Sequence, residues 1–373
     1  MEGFIGLFPG AQPSGMWRQL MIRYAVVGLG WISRQAFLPA VLPSGNSVVT
    51  ALVSGTIEKA KTIAAEYGIE RVVSYADYDE LISCDLIDAV YIAVPNSLHA
   101  AFAIKALEQG KHVMVEKPIA TSLVDAQAMI AVAQRCDALL MTSYRLHHDV
   151  GTVEALQSIR SGAIGEPRFF GATFTFQSDA DNHRLKPEHW GGPLQDIGIY
   201  CINAARHVFS AEPVEVLAVS CRNENDPRFL EVSDSIAVTL RFPGQRLAQF
   251  FCSFAAYPSD TYQVVGTEGV LNMQPGFRFE RPMAMTIEHS TGSKRTDFAH
   301  YDHFAGQIAY FSNCIANGTR PVDDGEEGLA DLRVLLAIER SASNGVPVSL
   351  EPQVYRHGPD TFSVRMIEPV AHV

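Results

Sequence analysis

Tyr24-Ala25-Val26-Val27-Gly28-Leu29-Gly30-Trp31-Ile32-Ser33 is the stretch whose reading decides the fold. A short apolar run ends in two glycines one residue apart, and Ser33 stands where a G-x-G-x-x-G pattern has its third glycine. Glycine lets the backbone turn tightly and approach a pyrophosphate, whose charge meets free N–H groups and the positive end of the next helix. Residues 33–41 read as that helix, with Pro39 expected to end or kink it. Strand, glycine turn and helix in this order point to a dinucleotide held by Gly28, Leu29, Gly30, Trp31 and Ile32. A glycine turn without a ligand is the plainer alternative.

Outward from this turn the alternation repeats. Strands over 48–53, 89–93, 112–115 and 139–142 interleave with helices over 57–67, 98–109 and 123–135, and Gly68 and Gly110 stop two of the helices. Units of this length imply a doubly wound parallel sheet covered on both faces, a Rossmann domain over 22–145. After residue 165 the rhythm changes. Phe170, Ala172, Phe174 and Phe176 alternate with Gly171, Thr173, Thr175 and Gln177, as a half-buried strand requires. Further strand-like runs over 214–220, 235–242, 247–254, 262–265 and 270–273 follow with few helices between them, and Thr267-Glu268-Gly269 reads as a hairpin connection. Helices over 194–209, 301–317 and 326–344 accompany them. The expectation is an α/β chain, its second domain (146–350) an α+β unit with a large, mostly antiparallel open sheet. Residues 1–21, with Pro9, Gly10, Pro13 and Gly15, read as an irregular arm, and 351–373 as a tail.

A chain of 373 residues exceeds the size at which one core stops growing, and 47% hydrophobic residues are enough for two cores. Lys and Arg number 29 against 41 Asp and Glu, a net charge of −12, and no basic run could neutralise a phosphate backbone; a nucleic-acid partner is not expected. No stretch approaches the ~20 apolar residues of a membrane span, and Glu2 replaces a positive n-region, so a cytoplasmic protein without a membrane partner is expected. Six cysteines lie scattered without a C-x-x-C pair, which suits reduced packing residues and predicts no metal site.

Three further motifs carry chemistry. Where an NAD enzyme keeps an acid for the ribose hydroxyls, the second strand ends in Val53-Ser54-Gly55-Thr56-Ile57-Glu58-Lys59. Ser54, Gly55, Thr56 and Lys59 offer hydroxyls, a helix N-terminus and a cation, all suited to a 2′-phosphate, so NADP is favoured over NAD. The alternative is that Ser54 or Thr56 caps the helix and Lys59 is merely solvated. Glu116-Lys117-Pro118 follows the strand 112–115, at the carboxyl edge where such sheets bind ligands; a surface ion pair is the competing reading. In Gly191-Gly192-Pro193-Leu194-Gln195-Asp196-Ile197-Gly198-Ile199-Tyr200, Asp196 and Tyr200 stand four apart and share one helix face. A nearby ammonium favours phenolate, which makes tyrosine a usable proton donor or acceptor for a carbinol. A core tyrosine and a capping aspartate are the bland reading of the same spacing.

These motifs, with Ala93-Val94-Pro95-Asn96-Ser97-Leu98-His99, Ser143-Tyr144-Arg145, Gly266-Thr267-Glu268-Gly269 and Asp324-Gly325-Glu326-Glu327-Gly328, resemble the glucose–fructose oxidoreductase, inositol dehydrogenase and rhizopine-catabolism family, written Gfo/Idh/MocA. The match spans about 22 to 350 and is nearest the glucose–fructose oxidoreductase branch. The resemblance implies a hydride transfer to or from a sugar, polyol or dihydrodiol. It implies that Ser54 and Lys59 hold the 2′-phosphate, that Pro95, Asn96 and His99 lie near the nicotinamide ribose with Glu116 and Arg145, and that Lys117 is catalytic. Tyr200, with Asp196, would be the acid–base, and His147 and Arg184 would join Lys117 around the sugar; His183 and Trp190 are weaker carry-overs. It further implies a homodimer or homotetramer built through the second sheet. A cofactor-binding regulator, and a glycosidase using nicotinamide for transient oxidation, remain open on the same scaffold.

Overall fold

The computed structural model of the protein describes residues 21–369. The expected arm over 1–21 therefore lies, apart from Met21, outside the described residues, as do the last four residues of the tail. Six strands form the first sheet: β1 (Ile22–Val27), β2 (Ser47–Ser54), β3 (Arg71–Ser74), β4 (Ala89–Ile92), β5 (His112–Glu116) and β6 (Leu140–Ser143). They lie in the order β3-β2-β1-β4-β5-β6, and every pairing is parallel. The order reverses between β1 and β4, which opens a crevice at the carboxyl ends where ligands bind in such sheets. The expected Rossmann sheet is present. β3 and the short helix Tyr78–Ile82 beside it escape the sequence reading because β3 buries only Val73.

The second sheet has nine strands: β7 (Pro167–Gln177), β8 (Glu215–Cys221), β9 (Ser235–Phe242), β10 (Arg246–Ser253), β11 (Ala255–Gly266), β12 (Val270–Met273), β13 (Ala284–His289), β14 (Gly292–Asp297) and β15 (Val348–Ser349). Their order is β14-β13-β12-β11-β7-β10-β9-β8-β15. Only the central pair β7 and β10 runs parallel; the other pairings are antiparallel, as expected of this half. The hairpin β13–β14 carries no apolar alternation, and β14 (Gly-Ser-Lys-Arg-Thr-Asp) is almost wholly exposed, which suits a charged edge strand and leaves no periodic signal. The helix Val150–Arg160 also lies where no element is expected; Asp149 caps it and Val153, Leu156 and Ile159 are its buried stripe.

On the strand of alternating phenylalanines, Phe170 and Phe174 are buried as expected. Thr175, expected on the open face, is buried instead: β11 is irregular between Ala255 and Ser259, and the Thr175 hydroxyl donates to the Tyr257 carbonyl and accepts from the Ser259 amide. One side of the sheet packs on the helices Ile199–Phe209 and Gly325–Asn344 through Ile202, Ala205, Leu335 and Ile338. The boundary at residue 145 separates the two sheets but not the helices. His303–Asn317 returns to the first sheet, where Phe304, Ile308 and Phe311 share a core with Tyr24, Val26 and Leu52. Pro39 does kink its helix: residues Ser33–Phe37 form a wide π-type turn before the α-helical Leu38–Val41, because the proline has no N–H to give back to its preceding turn.

Candidate active site

A cleft of about 610 Å³ runs along the carboxyl edge of the first sheet, between it and the second. At one end Gly28 adopts φ +90°, and a Cβ there would stand 2.5 Å from the Ala93 carbonyl oxygen, so β1 and β4 approach this closely only because residue 28 is glycine. The Ser33 hydroxyl donates to the Gly28 carbonyl at 2.6 Å, which ties the turn from the place of the third glycine. Gly30 has open space where its Cβ would be, and Gly30, Trp31 and Ile32 line the cleft while Leu29 is buried beneath them. A glycine turn of this shape ahead of a helix N-terminus has the chemistry that suits a diphosphate.

Ser54, Gly55, Thr56 and Lys59 stand beyond this cleft, at the end of β2 and the start of the helix Ile57–Tyr67. Ser54 is buried and accepts from the Thr56 amide at 3.1 Å, a tight turn just before the helix rather than a cap, Thr56 makes no side-chain cap either, and Lys59 is exposed. Gly55 lies under the Tyr75 ring, 3.2 Å from where a Cβ would sit. Pro95 starts the turn that presents Asn96 to the cleft. His99 serves that wall differently from what was expected. Its two ring nitrogens face the carbonyls of Pro118 at 2.8 Å and Val94 at 3.0 Å, and burial pushes it down to about pKa 4, so the neutral ring donates to one of the two and is wedged as a clamp between the loops after β4 and β5.

Past the clamp the charged groups converge. Lys117 Nζ donates to the Asp196 carbonyl at 2.6 Å and to Asp196 Oδ1 at 3.2 Å. Arg184 Nε meets the same Oδ1 at 2.9 Å. Burial disfavours the Asp196 charge, but Arg184 first and Lys117 second outweigh it and hold the carboxyl below the usual range. Glu116 accepts from the Tyr91 hydroxyl at 2.7 Å, and burial pushes its carboxyl upward against the pull of Lys117. Two cations lie over the Tyr200 ring, Lys117 Nζ and the Arg145 guanidinium carbon, each 4.9 Å from its centroid. Among the described residues the Tyr200 hydroxyl makes no hydrogen bond, and the residue lines the cleft. Asp196 and Tyr200 reach one cleft although residues Leu194–Gly198 form a π-type turn rather than the regular helix expected. Arg145 is fixed by donating to the Phe277 carbonyl at 2.6 Å.

His147 is the correction. It does not face the cleft: it is 2% exposed, stacked on Tyr144, with Nε2 at 2.8 Å from Asn203 Oδ1. Because the Asn203 amide nitrogen is spent on Glu327 and Asp331, its oxygen faces the ring and His147 Nε2 must donate. Burial, then His207, hold it well below the ordinary histidine value. The reason lies below it: Arg206, fully buried, gathers Glu212, Glu327 and Asp331 at 2.5–2.7 Å, and the short turn Arg145–His148 packs onto that network. His147, His207 and Glu327 offer ligand atoms within 4.8 Å of one another, yet Glu327 Oε1 already accepts from Arg206 and Asn203.

The cleft also takes residues with no role in the motif reading, together with His183. Phe174, Arg278, Phe279, Glu280 and Gln195 line it together with Asp179, Asp181, Asn182 and His183. Gln195 sits inside the motif of Asp196, but 278–280 arrive only through the connection from β12 to β13, which has no local signature. His183 lies beside Arg184, and burial, then that guanidinium, push it down to about 4.

Residues 22–144 match the model of an oxidoreductase family with an NAD-binding Rossmann fold, and 152–272 match the GFO/IDH/MocA C-terminal domain. A D-xylose 1-dehydrogenase [NADP(+)] of Haloarcula marismortui is 32% identical over 338 residues, covering 88% of this chain and 93% of its own. The crystal structure of an aldose-aldose oxidoreductase from Caulobacter crescentus, complexed with glycerol, superposes with a TM-score of 0.83 at 36% identity over 88% of this chain and 100% of its own. A 3-ketoreductase from Actinomadura kijaniata with NADP and TDP-benzene gives 0.80 at 29% identity, over 86% and 98%. Two family models in the right order and a relative aligned along most of both chains leave one assignment: this chain belongs to the Gfo/Idh/MocA oxidoreductase family.

Proposed function

We propose that the protein is an NADP-dependent oxidoreductase that exchanges a hydride with a hydroxyl or carbonyl carbon of a sugar, polyol or dihydrodiol, with Tyr200 as the acid–base. The observation that carries this reading is the convergence of Lys117, Asp196 and Tyr200 in one cleft that continues into the glycine cradle. Gly28, Gly30 and the helix N-terminus behind them fit a dinucleotide diphosphate, and the relatives that use or bind NADP support the phosphorylated cofactor. Ser54, Thr56 and Lys59 would hold its 2′-phosphate. When bound, NADP supplies or accepts the hydride.

The proton remains for the protein. Asp196 is held ionised by Arg184 and Lys117, which makes it a poor base, and His183 at about 4 is a poor one too. Tyr200, with its hydroxyl unpaired among the described residues and two cations near its ring, is the group left to exchange a proton with the carbinol oxygen. Lys117, anchored by Asp196, stabilises negative charge on that oxygen, and Arg184 fixes Asp196 in turn. Phe174 and Phe279 wall the cleft and limit water around the reacting groups.

The same reading includes self-association through the second sheet. Val219, Ala237, Phe251, Thr173 and Thr261 stand side by side in register on the face away from the helices, with Val219 60% and Phe251 38% exposed. An apolar stripe of this kind on a flat sheet suits a second copy of the chain. Nicotinamide fluorescence over a panel of aldoses, polyols and dihydrodiols tests the activity: NADP reduction with at least one member is expected. Saturable NADP binding with no net redox change on any member, in either direction, overturns it. Light scattering that returns the mass of one chain at micromolar concentration overturns the assembly.

A further inference from the structure

Glu339 lies outside the cleft, half-buried on the helix Gly325–Asn344. Its Oε1 accepts two hydrogen bonds, from Trp190 Nε1 at 2.9 Å and from Gln195 Nε2 at 2.6 Å. Both donors adjoin reacting groups. The Trp190 carbonyl accepts from Asn96 Nδ2 at 3.1 Å, on the loop after β4. Gln195 immediately precedes Asp196, whose backbone carbonyl and carboxylate hold Lys117.

The segment between the two donors has little freedom to compensate. Trp190 sits at φ +52°, a left-handed conformation that a bulky side chain keeps only where its surroundings over-determine it. A Cβ on Gly191 would stand 2.1 Å from the Arg184 carbonyl oxygen, and Gly192 adopts φ +131°. Arg184 in turn reaches Asp196. One carboxylate oxygen therefore fastens both ends of a closely packed turn, with the nicotinamide-side wall at one end and the Asp196–Lys117 pair at the other.

We infer that Glu339 is a positioning residue for hydride transfer, acting through Trp190 and Gln195 to set Asn96 and the Asp196–Lys117 pair at once. This rests on the catalytic reading above for the identity of the groups being positioned. What the site needs is an acceptor rather than a charge, because both donors go to the same oxygen. An amide oxygen in its place can accept both bonds.

The test compares Glu339→Ala with Glu339→Gln in the full-length protein, on whichever substrate the panel yields. Glu339→Ala should lower kcat about tenfold to a hundredfold, the usual consequence of misplacing reacting groups by a fraction of an ångström to an ångström, while NADP affinity stays within about threefold. Glu339→Gln should restore kcat to within about threefold. Adding Trp190→Phe to Glu339→Ala should cost no more than Glu339→Ala alone, since the indole N–H then has no acceptor to lose. Should Glu339→Ala fail to fold, Trp190→Phe and Gln195→Met remove the two donors from the other side, and each should lower kcat at unchanged NADP affinity. Wild-type kcat in Glu339→Ala, a Glu339→Gln enzyme as impaired as Glu339→Ala, or wild-type kcat in both donor variants overturns the inference. The catalytic reading fails separately, through a fully active Tyr200→Phe, and the Ala-against-Gln pattern at Glu339 is readable in either case.

Discussion

The two ends of the cleft are built from different material. The end proposed to take the cofactor is backbone: Gly28 at φ +90°, a serine hydroxyl returned to the Gly28 carbonyl, and a helix N-terminus, all within a dozen consecutive residues. The end proposed to take the sugar is side chains: Lys117, Arg145, Arg184, Asp196 and Tyr200 come from separated stretches and hold one another by ion pairs, hydrogen bonds and ring contacts. The first should tolerate changes of side chain but not of backbone, and the second the reverse. Substitutions at the two ends ought then to separate chemistry from cofactor binding.

The largest separation is expected at Tyr200. Phenylalanine keeps the ring beside Lys117, Arg145 and Phe174, and removes only the hydroxyl. Turnover should fall on the order of 10²–10⁴-fold, the worth of a positioned acid–base group, with NADP affinity and the circular dichroism spectrum unchanged. Wild-type turnover would mean that some other group carries the proton. An equal fall in NADP affinity would erase the distinction between the two ends.

The reverse pattern is expected at Gly28. A methyl group there meets the Ala93 carbonyl at 2.5 Å on a backbone that L-residues rarely adopt, so the turn must shift, at a strain of about 1–3 kcal/mol. Gly28→Ala should weaken NADP binding by roughly tenfold or more, as the backbone no longer reaches the diphosphate, yet keep most of kcat at saturating cofactor. Isothermal titration beside steady-state kinetics reads both quantities. Unchanged NADP affinity would show that the cradle does not hold the diphosphate.

A smaller effect is expected at Lys59, which is exposed and forms no ion pair among the described residues. Loss of its charge should reduce the preference for NADP over NAD by about tenfold at low salt and by less at high salt, where a solvated ion pair is screened. The Ser54 hydroxyl already holds the turn before the helix through its bond to the Thr56 amide, so an unchanged cofactor ratio in Lys59→Ala would leave that turn as the whole meaning of the segment.

The same contrast explains what could be read before the structure. A glycine turn after a strand is local, and the parallel sheet around it announces itself by alternating apolar runs, so Gly28 to Ile32 and the Rossmann half were legible. Lys117, Asp196 and Tyr200 were legible as motifs because each stands beside a glycine or proline turn at a sheet edge. His147 was misplaced because it follows the cleft wall closely in sequence, at Arg145, while the fully buried Arg206 network, which draws it inward, is assembled from residues 59 to 184 positions away. Arg278 to Glu280 had no signal at all, since only the pairing of β12 with β13 delivers them. Edge strands such as β14 stay silent for a related reason: buried on neither face, they carry no alternation.

The smallest effect concerns the charge network and its dependence on pH. Asp196 is held below the ordinary carboxylate range chiefly by Arg184 and then by Lys117, against the opposing effect of burial. A carboxyl whose folded value is depressed contributes stability that is fully present above its unfolded value, near pH 4, and is lost as pH falls through the folded value. Arg184→Gln removes the larger of the two attractions and leaves Lys117 in place, so the folded value of Asp196 should rise toward the unfolded one. The variant should then lose less stability on acidification across the window below about pH 4, and should start from a lower plateau at neutral pH, by about 1.4 kcal/mol for each pH unit of depression removed. Arg184 is 29% exposed at its side chain, which screens part of the interaction and sets this figure as a ceiling. Urea unfolding of both proteins from pH 3 to pH 7 measures it. Parallel stability curves at every pH would show that Asp196 takes its charge from Lys117 alone, and the sugar end would then be held by one cation rather than by a network.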